Sequence, residues 1–218
     1  MSSSQPETTI CSLSFPAPAV LLVTLTRAEE LNTIPRGGHE ELKRRRGRKP
    51  IIAAVNGLAV GDGMETLINC DMVICSPKAV FALPDVKVGL SLLGGTLPLL
   101  AQKIGRGHTT DMVLTGRSVR AEEALEWRLV DRIVDDPVRE AIEVAKSIAA
   151  NSPDAVWATR EGIFLGLSGK NSLDAGKEFQ DKYWVPFLRE GWNSKEGIAA
   201  FLEKRKPKWD LDWNKSKL

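Results

Sequence analysis

Glu65 stands four residues after Gly61 and two after Gly63, near the end of the run KPIIAAVNGLAVGDGMETL (Lys49–Leu67), and that placement gives an acid something to do. The apolar run Ile51–Val55, bounded by Pro50 and by Asn56-Gly57, reads as a strand buried on both faces. Gly57, Gly61 and Gly63 then make a turn in which the backbone approaches a neighbour closely. From about Gly63 onward, Met64, Leu67 and Ile68 recur at helical spacing. A helix start presents N–H groups and the positive end of the dipole, which suits an oxygen that becomes negative. An acid in that first turn is placed to move a proton beside it. A surface glutamate that only offsets the helix dipole fits the same residues, so this run alone leaves both readings open.

The flanking segments read as the frame for that turn. Met1–Pro18, rich in Ser, Pro and Thr, is expected to be a flexible tail with an edge strand near Ile10–Phe15. Val20–Thr26 has strand composition, and Met72–Cys75 and Val80–Ala82 read as two further strands. Gly94-Gly95-Thr96 begins a helix to about Lys103, followed by helices over Gly105–Leu114 and Ala121–Trp127, the last with Ser118 as its cap. Leu129–Val134 is a predicted strand and Pro137 opens a helix to about Ala150. From Ser152 the pattern is helical throughout, ending in Ser194–Lys204. Strands alternating with helices, then helices alone, imply an α/β core and a helical appendage.

Composition narrows the function classes. At 218 residues, 43% hydrophobic and 27% charged, the chain is long enough to bury a core, and a net charge of +2 argues against a general nucleic-acid surface. No apolar run approaches the about 18 residues that span a membrane, and the start lacks a signal peptide's apolar core. Cys11, Cys70 and Cys75 have no CxxC spacing and read as buried free thiols of a reducing compartment. GDGMET lacks the third glycine of a dinucleotide fingerprint, GLSGKNS (Gly166–Ser172) has the wrong spacing for a phosphate loop, and no GxSxG is present. His39 and His108 stand alone, so no metal site is expected; His108 reads as a capping or surface residue. KRRRGRK (Lys43–Lys49) reads as a solvated linker, with a polyanion-binding patch as the alternative. Ser216-Lys217-Leu218 is a peroxisomal address, which predicts that location and an import receptor as partner.

NGLAVGDGMETLINCD resembles the signature of the enoyl-CoA hydratase/isomerase (crotonase) family, with Asp62 where the family has the middle of three glycines. The likeness continues through Phe81–Leu100 (FALPDVKVGLSLLGGTLPLL), Val113–Val134 (VLTGRSVRAEEALEWRLVDRIV) and Gly197–Trp209 (GIAAFLEKRKPKW). It implies a flexible tail over residues 1–18 and a crotonase-like ββα spiral core over 19–150. It also implies a helical trimerisation region over 151–218, giving a homotrimer or a dimer of trimers. The resemblance then implies that this core is incomplete, since between Leu42 and Lys49 a member of the family is expected to carry several tens of residues, including an Ala-Gly-Ala-Asp-type segment that supplies one oxyanion N–H.

The resemblance further implies addition of water to a 2-enoyl-CoA, with double-bond isomerisation as one alternative and a shortened, weakly active acyl-CoA-binding member as another. Two N–H donors must then sit where the thioester oxygen becomes negative, and two carboxyl groups manage water and proton. Glu65 and Asp85 are the acids so implied, and Asp62 donates its backbone N–H. Arg27, Leu31, Phe201 and Lys204 are implied for the coenzyme A moiety, which enters as part of the substrate, with no separate cofactor. The aromatic-rich final third, from Trp157 to Phe201, implies burial against another subunit, with packing inside one chain as the alternative.

Overall fold

The computed structural model describes residues 11–25, 48–92 and 95–211. Two compact units divide them. Ile51–Val144 and the strands before residue 26 form the first, and Arg48–Pro50 with the residues from Ala145 form the second. The boundary lies inside a helix, between Val144 and Ala145, whereas the sequence places it near residue 150.

In the first unit, β1 (Cys11–Ala17) and β2 (Val20–Leu25) form an antiparallel hairpin. An edge strand is thus present where one is expected near Ile10–Phe15, running from Cys11 to Ala17, with Cys11 and Leu13 opposite Leu25 and Val23 of β2. Ala19, at φ 60°, takes the left-handed corner of the turn after Pro18.

The central architecture is a pair of sheets threaded twice. β3 (Ile52–Val55) leads to β4 (Leu58–Val60) and then to α1 (Asp62–Ile68). β5 (Met72–Cys75) leads likewise to β6 (Val80–Ala82), a 3-10 turn over Asp85–Val88, and α2 (Thr96–Thr115). β5 lies parallel to β3 in one sheet and β6 lies parallel to β4 in the other, so two ββα turns stack on each other. Corner bonds hold the register: Ser76 N–H donates to Val55 O at 2.9 Å, and Val80 N–H to Gly57 O at 3.1 Å. Asp71 and Asp131 act at the strand starts, their carboxylates accepting from Ile51 N–H and Val73 N–H at 2.7 Å each.

Two expectations change here. Leu58–Val60, read as part of a glycine turn, is a strand, because three residues are too few for alternation to register and parallel pairing with β6 decides. Ile52–Val55 is half-buried along its length, since it flanks β5, whose Val73, Ile74 and Cys75 are fully buried at the sheet centre.

β7 (Ser118–Arg120) pairs antiparallel with β6, which takes Ser118 out of the capping role; Arg120 is the N-cap of α3 (Ala121–Glu126). Arg128, at φ 62°, ends that helix, with Leu129 N–H reaching Ala124 O at 2.9 Å and Arg128 N–H reaching Leu125 O at 3.0 Å. The expected strand Leu129–Val134 is reduced to β8 (Arg132–Ile133), beside β5. Phe81, Met64, Ile74, Leu83, Leu100 and Met112 are the largest fully buried apolar side chains in this unit, each worth about 1.5–3 kcal/mol.

α4 (Pro137–Ala149) crosses into the second unit, which continues as α5 (Pro153–Leu167), α6 (Ser172–Phe179), a π-type segment over Gln180–Arg189 and α7 (Trp192–Leu202). Ser152 caps α5, accepting from Ala155 N–H, and Asn171 caps α6, accepting from Asp174 N–H at 3.0 Å. Trp157 meets Tyr183 and Phe187 edge-on at 5.1 and 5.0 Å, and the Arg48 guanidinium lies 5.0 Å from its ring centre. Phe179 packs closely on Gly162, where a Cβ would lie 3.1 Å from that ring and make it shift by a few tenths of an ångström. Part of the aromatic cluster thus packs within one chain, while Trp184, Trp192 and Phe201 remain exposed.

Candidate active site

The stacked turns bring two acids to one end of a sheet. β4 and β6 run parallel with Val60 opposite Ala82, so the chain leaves both strands at the same edge. Glu65 follows Val60 by five residues and Asp85 follows Ala82 by three. In parallel sheets, the carboxyl edge of the strands is where ligands collect.

Gly61, at φ 52°, turns the chain out of β4, its own N–H reaching Ala82 O at 3.4 Å. Asp62 and Gly63 are then the first two residues of α1, the positions whose N–H groups a helix directs to acceptors outside itself. Glu65 is only 5% exposed. Its backbone N–H donates to Gly61 O at 2.9 Å, and its Oε2 accepts from the Thr96 hydroxyl at 2.7 Å. This is not the solvated dipole-compensating glutamate that the bland alternative requires.

Asp85 opens the 3-10 turn after Pro84. Its Oδ2 is buried and accepts no hydrogen bond among the described residues. A buried carboxylate oxygen without a donor costs about 1–3 kcal/mol or more, so such an atom calls for a donor beyond the described residues. Its main-chain oxygen accepts from Leu90 N–H at 3.0 Å, which fixes the turn that presents it.

The remaining reactive groups of this unit are occupied elsewhere. Cys75 is fully buried in β5, and burial, with the negative charge of Glu122 behind it, pushes its thiol up to about 11, so it stays protonated at neutral pH. Cys70 and Cys11 are half-buried rather than enclosed; none of the three is bonded to another. His108 is exposed and stacks on Trp127 at 4.4 Å. Arg117 lies over the same indole at 5.0 Å and bridges Asp111 and Glu123, whose carboxyls it holds below their ordinary range through hydrogen bonds.

Phe201 and Lys204 belong to the second unit. Phe201 is 83% exposed at the end of α7. Lys204, at φ 54°, is the left-handed residue that terminates this helix, with Arg205 N–H reaching Ala200 O at 3.0 Å. Arg205 pairs with Glu196 and Glu203, Lys208 N–H donates to Glu196, and Trp209 Nε1 donates to Ala150 O at 2.7 Å. The run AFLEKRKPKW therefore builds a tied-down helix end. Arg27 and Leu31 lie outside the described residues, as do most of Leu42–Lys49 and the terminal Ser216-Lys217-Leu218. Sequence reasoning missed Thr96: Gly94-Gly95-Thr96 signals a helix start, and nothing in it marks a hydroxyl that reaches 31 positions back.

Three similarities bear on this arrangement. A family model described as enoyl-CoA hydratase/isomerase matches residues 39–212. The chain is 41% identical over 180 residues to mevalonyl-coenzyme A hydratase of Aspergillus fumigatus, and 36% identical over 167 residues to carnitinyl-CoA dehydratase of Proteus mirabilis. The first match covers 82% of this chain and 66% of the relative, the second 74% and 63%, so the chain spans less than two thirds of the length of either. Among solved structures, an enoyl-CoA hydratase/isomerase from Mycobacterium paratuberculosis superposes with a TM-score of 0.81 at 25% identity, covering 93% of this chain and 98% of that one.

Proposed function

The chain belongs to the enoyl-CoA hydratase/isomerase family, and from that premise we propose that it adds water across the double bond of a 2-enoyl-CoA thioester. The observation that carries this reading is the buried Glu65 carboxylate, oriented by Thr96 at the carboxyl edge where Asp85 also emerges. Water gives its hydroxide to the β-carbon and one proton to Glu65, and the Asp85 carboxyl gives a proton to the α-carbon. The proton left on Glu65 replaces the one Asp85 has lost, so that one water is added in all. Charge meanwhile develops on the thioester oxygen, which the backbone N–H of Asp62 at the start of α1 receives. The Asp62 carboxylate opposes that charge unless its side chain turns away, so reach and orientation there are part of the design. Aspartate at position 85 is one methylene shorter than glutamate, which ties turnover to the exact set of the 3-10 turn. Coenzyme A enters with the acyl group; Arg27, Leu31, Phe201 and Lys204 are the residues proposed to meet it.

Hydration is favoured over isomerisation because two acid positions are filled, and because the two relatives named above are a hydratase and a dehydratase. The test is direct: purified chain is offered 2-enoyl-CoA, 3-enoyl-CoA and mevalonyl-CoA, and products are separated by chromatography. A 3-hydroxyacyl product from the first supports hydration. A shifted double bond from the second supports isomerisation, and no consumption of any of them rejects both.

One observation favours a second reading, a weakly active member that binds acyl-CoA. The chain spans 66% of its 41%-identical relative, and no Ala-Gly-Ala-Asp-type segment stands between Leu42 and Lys49. Loss of one oxyanion donor costs about 100- to 1,000-fold in turnover. Calorimetric binding of an acyl-CoA with turnover near background identifies this case, and the transcript sequence across Leu42–Lys49 tests the gap itself.

The proposal extends to assembly and place. Exposed Trp192, Ile198, Phe201 and Leu202 support burial of α7 in a homotrimer or a dimer of trimers, read by analytical ultracentrifugation. Ser216-Lys217-Leu218 supports recognition by the peroxisomal import receptor, and a fluorescent fusion that stays cytosolic would refute it.

A further inference from the structure

We infer that Thr96 is a positioning residue for the reaction: its hydroxyl holds Oε2 of Glu65 and so aims the other carboxylate oxygen at the water to be deprotonated. This rests on the hydration reading above. Thr96 is the first residue of α2 and is 1% exposed. A hydroxyl in so enclosed a place is disfavoured unless bonded, and valine would fill the same volume without that penalty. Its bond goes across the unit to Glu65 Oε2, 2.7 Å away, rather than remaining within its own helix.

The geometry has little freedom. Thr96 is β-branched, which restricts its χ1 and with it the direction of the hydroxyl. Gly95, at φ 88°, sets the start of α2, and the fully buried Leu100 anchors the next turn of the helix. On the other side, Glu65 is fixed by its backbone bond to Gly61 O at 2.9 Å and by Asn69 Nδ2, which donates to Glu65 O at 2.8 Å. A carboxylate is planar, so a donor fixed on Oε2 sets the plane and direction of Oε1.

The test uses the full chain with Thr96→Val and Thr96→Ser. Thr96→Val is expected to lower kcat about 10- to 100-fold, the scale of a misplaced catalytic group, with KM nearly unchanged; Thr96→Ser restores most of kcat. Independently of turnover, the infrared carboxylate stretch of Glu65, isolated by difference against Glu65→Gln, shifts in Thr96→Val and stays in place in Thr96→Ser. Should Thr96→Val fail to fold, Thr96→Ala takes its place in both measurements. An unmoved stretch, or a kcat equal to wild type, overturns the inference. A shifted stretch in a protein that consumes no enoyl-CoA supports the contact and overturns hydration instead.

Discussion

The two units hold themselves together by different means. In the first, apolar side chains from β4 to β8 form one continuous core, with Phe81, Leu83, Met64 and Met112 at full burial. In the second, the most enclosed groups include polar ones: Asn193, 1% exposed, donates to Asp154 at 2.8 Å and to Asp210 O at 3.0 Å, and its Oδ1 accepts from Asp210 N–H. Several of its large apolar residues meanwhile face outward, as at Leu173, Ile198, Phe201 and Leu202, while Trp157 is buried. Both units leave large apolar side chains exposed, Leu13, Phe15 and Leu58 in the first among them, but the first also encloses a continuous apolar core, whereas the second adds buried hydrogen bonds to its packing.

The largest effect expected to separate the two is chemical. Glu65→Gln is predicted to lower hydration by about 100- to 10,000-fold, the usual share of a general acid or base, in steady-state assays of the purified protein. Turnover equal to wild type would remove the first unit's claim to the chemistry. Next in size is packing: Phe81→Ala should cost about 3–5 kcal/mol in chemical denaturation, while Phe201→Ala in the single chain stays within about 0.5 kcal/mol. Equal losses would erase the contrast. Asn193→Ala should destabilise by about 1–3 kcal/mol, since it removes a buried amide that donates to Asp154 and Asp210 O and accepts from Asp210 N–H. A stability change near zero there would mean that the second unit does not rest on this tie.

The smallest effect is a pH dependence. Glu196 is held down from 4.5 to about 2, chiefly by hydrogen bonds from Arg205 and then from Lys208 N–H. A carboxylate depressed on folding stabilises fully above its ordinary value and loses that contribution as pH falls toward its folded value. The melting temperature should therefore drop between about pH 4.5 and 2, and Glu196→Gln should flatten its share of that slope. Asp111 and Glu123, lowered by Arg117, and Glu178, lowered by Lys170 and Lys182, keep acid sensitivity in the variant.

Local chemistry made much of this readable before any coordinates. Asn56-Gly57, Pro84, Gly95, Pro137 and Ser152 punctuate the chain where elements begin or end, and the helix that bears Glu65 starts at Asp62, one residue from its sequence-based start. The mixed α/β core with a helical carboxy-terminal region agrees with the fold expected, and the likeness to solved crotonase-type enzymes supports it. What escaped is non-local. β4 exists because β6 lies beside it, β8 keeps two residues because only Ile74 and Cys75 offer it partners, and Ser118 pairs in a strand where its type suggested a cap. The Thr96 hydroxyl belongs to the same class: a threonine at a helix start is unremarkable until tertiary packing sets a carboxylate opposite it.

The doubled ββα winding also bears on how the protein is made. β3 finds β5, and β4 finds β6, only about 20 residues further along the chain, a short reach for parallel strands (Ile52 to Met72, Leu58 to Val80). Each coil can close soon after it leaves the ribosome, because brief loops cost little entropy and form early. The nascent chain thus lays down a template on which the following segment zips, and the edge that bears Glu65 and Asp85 takes shape before the aromatic helices have been synthesised.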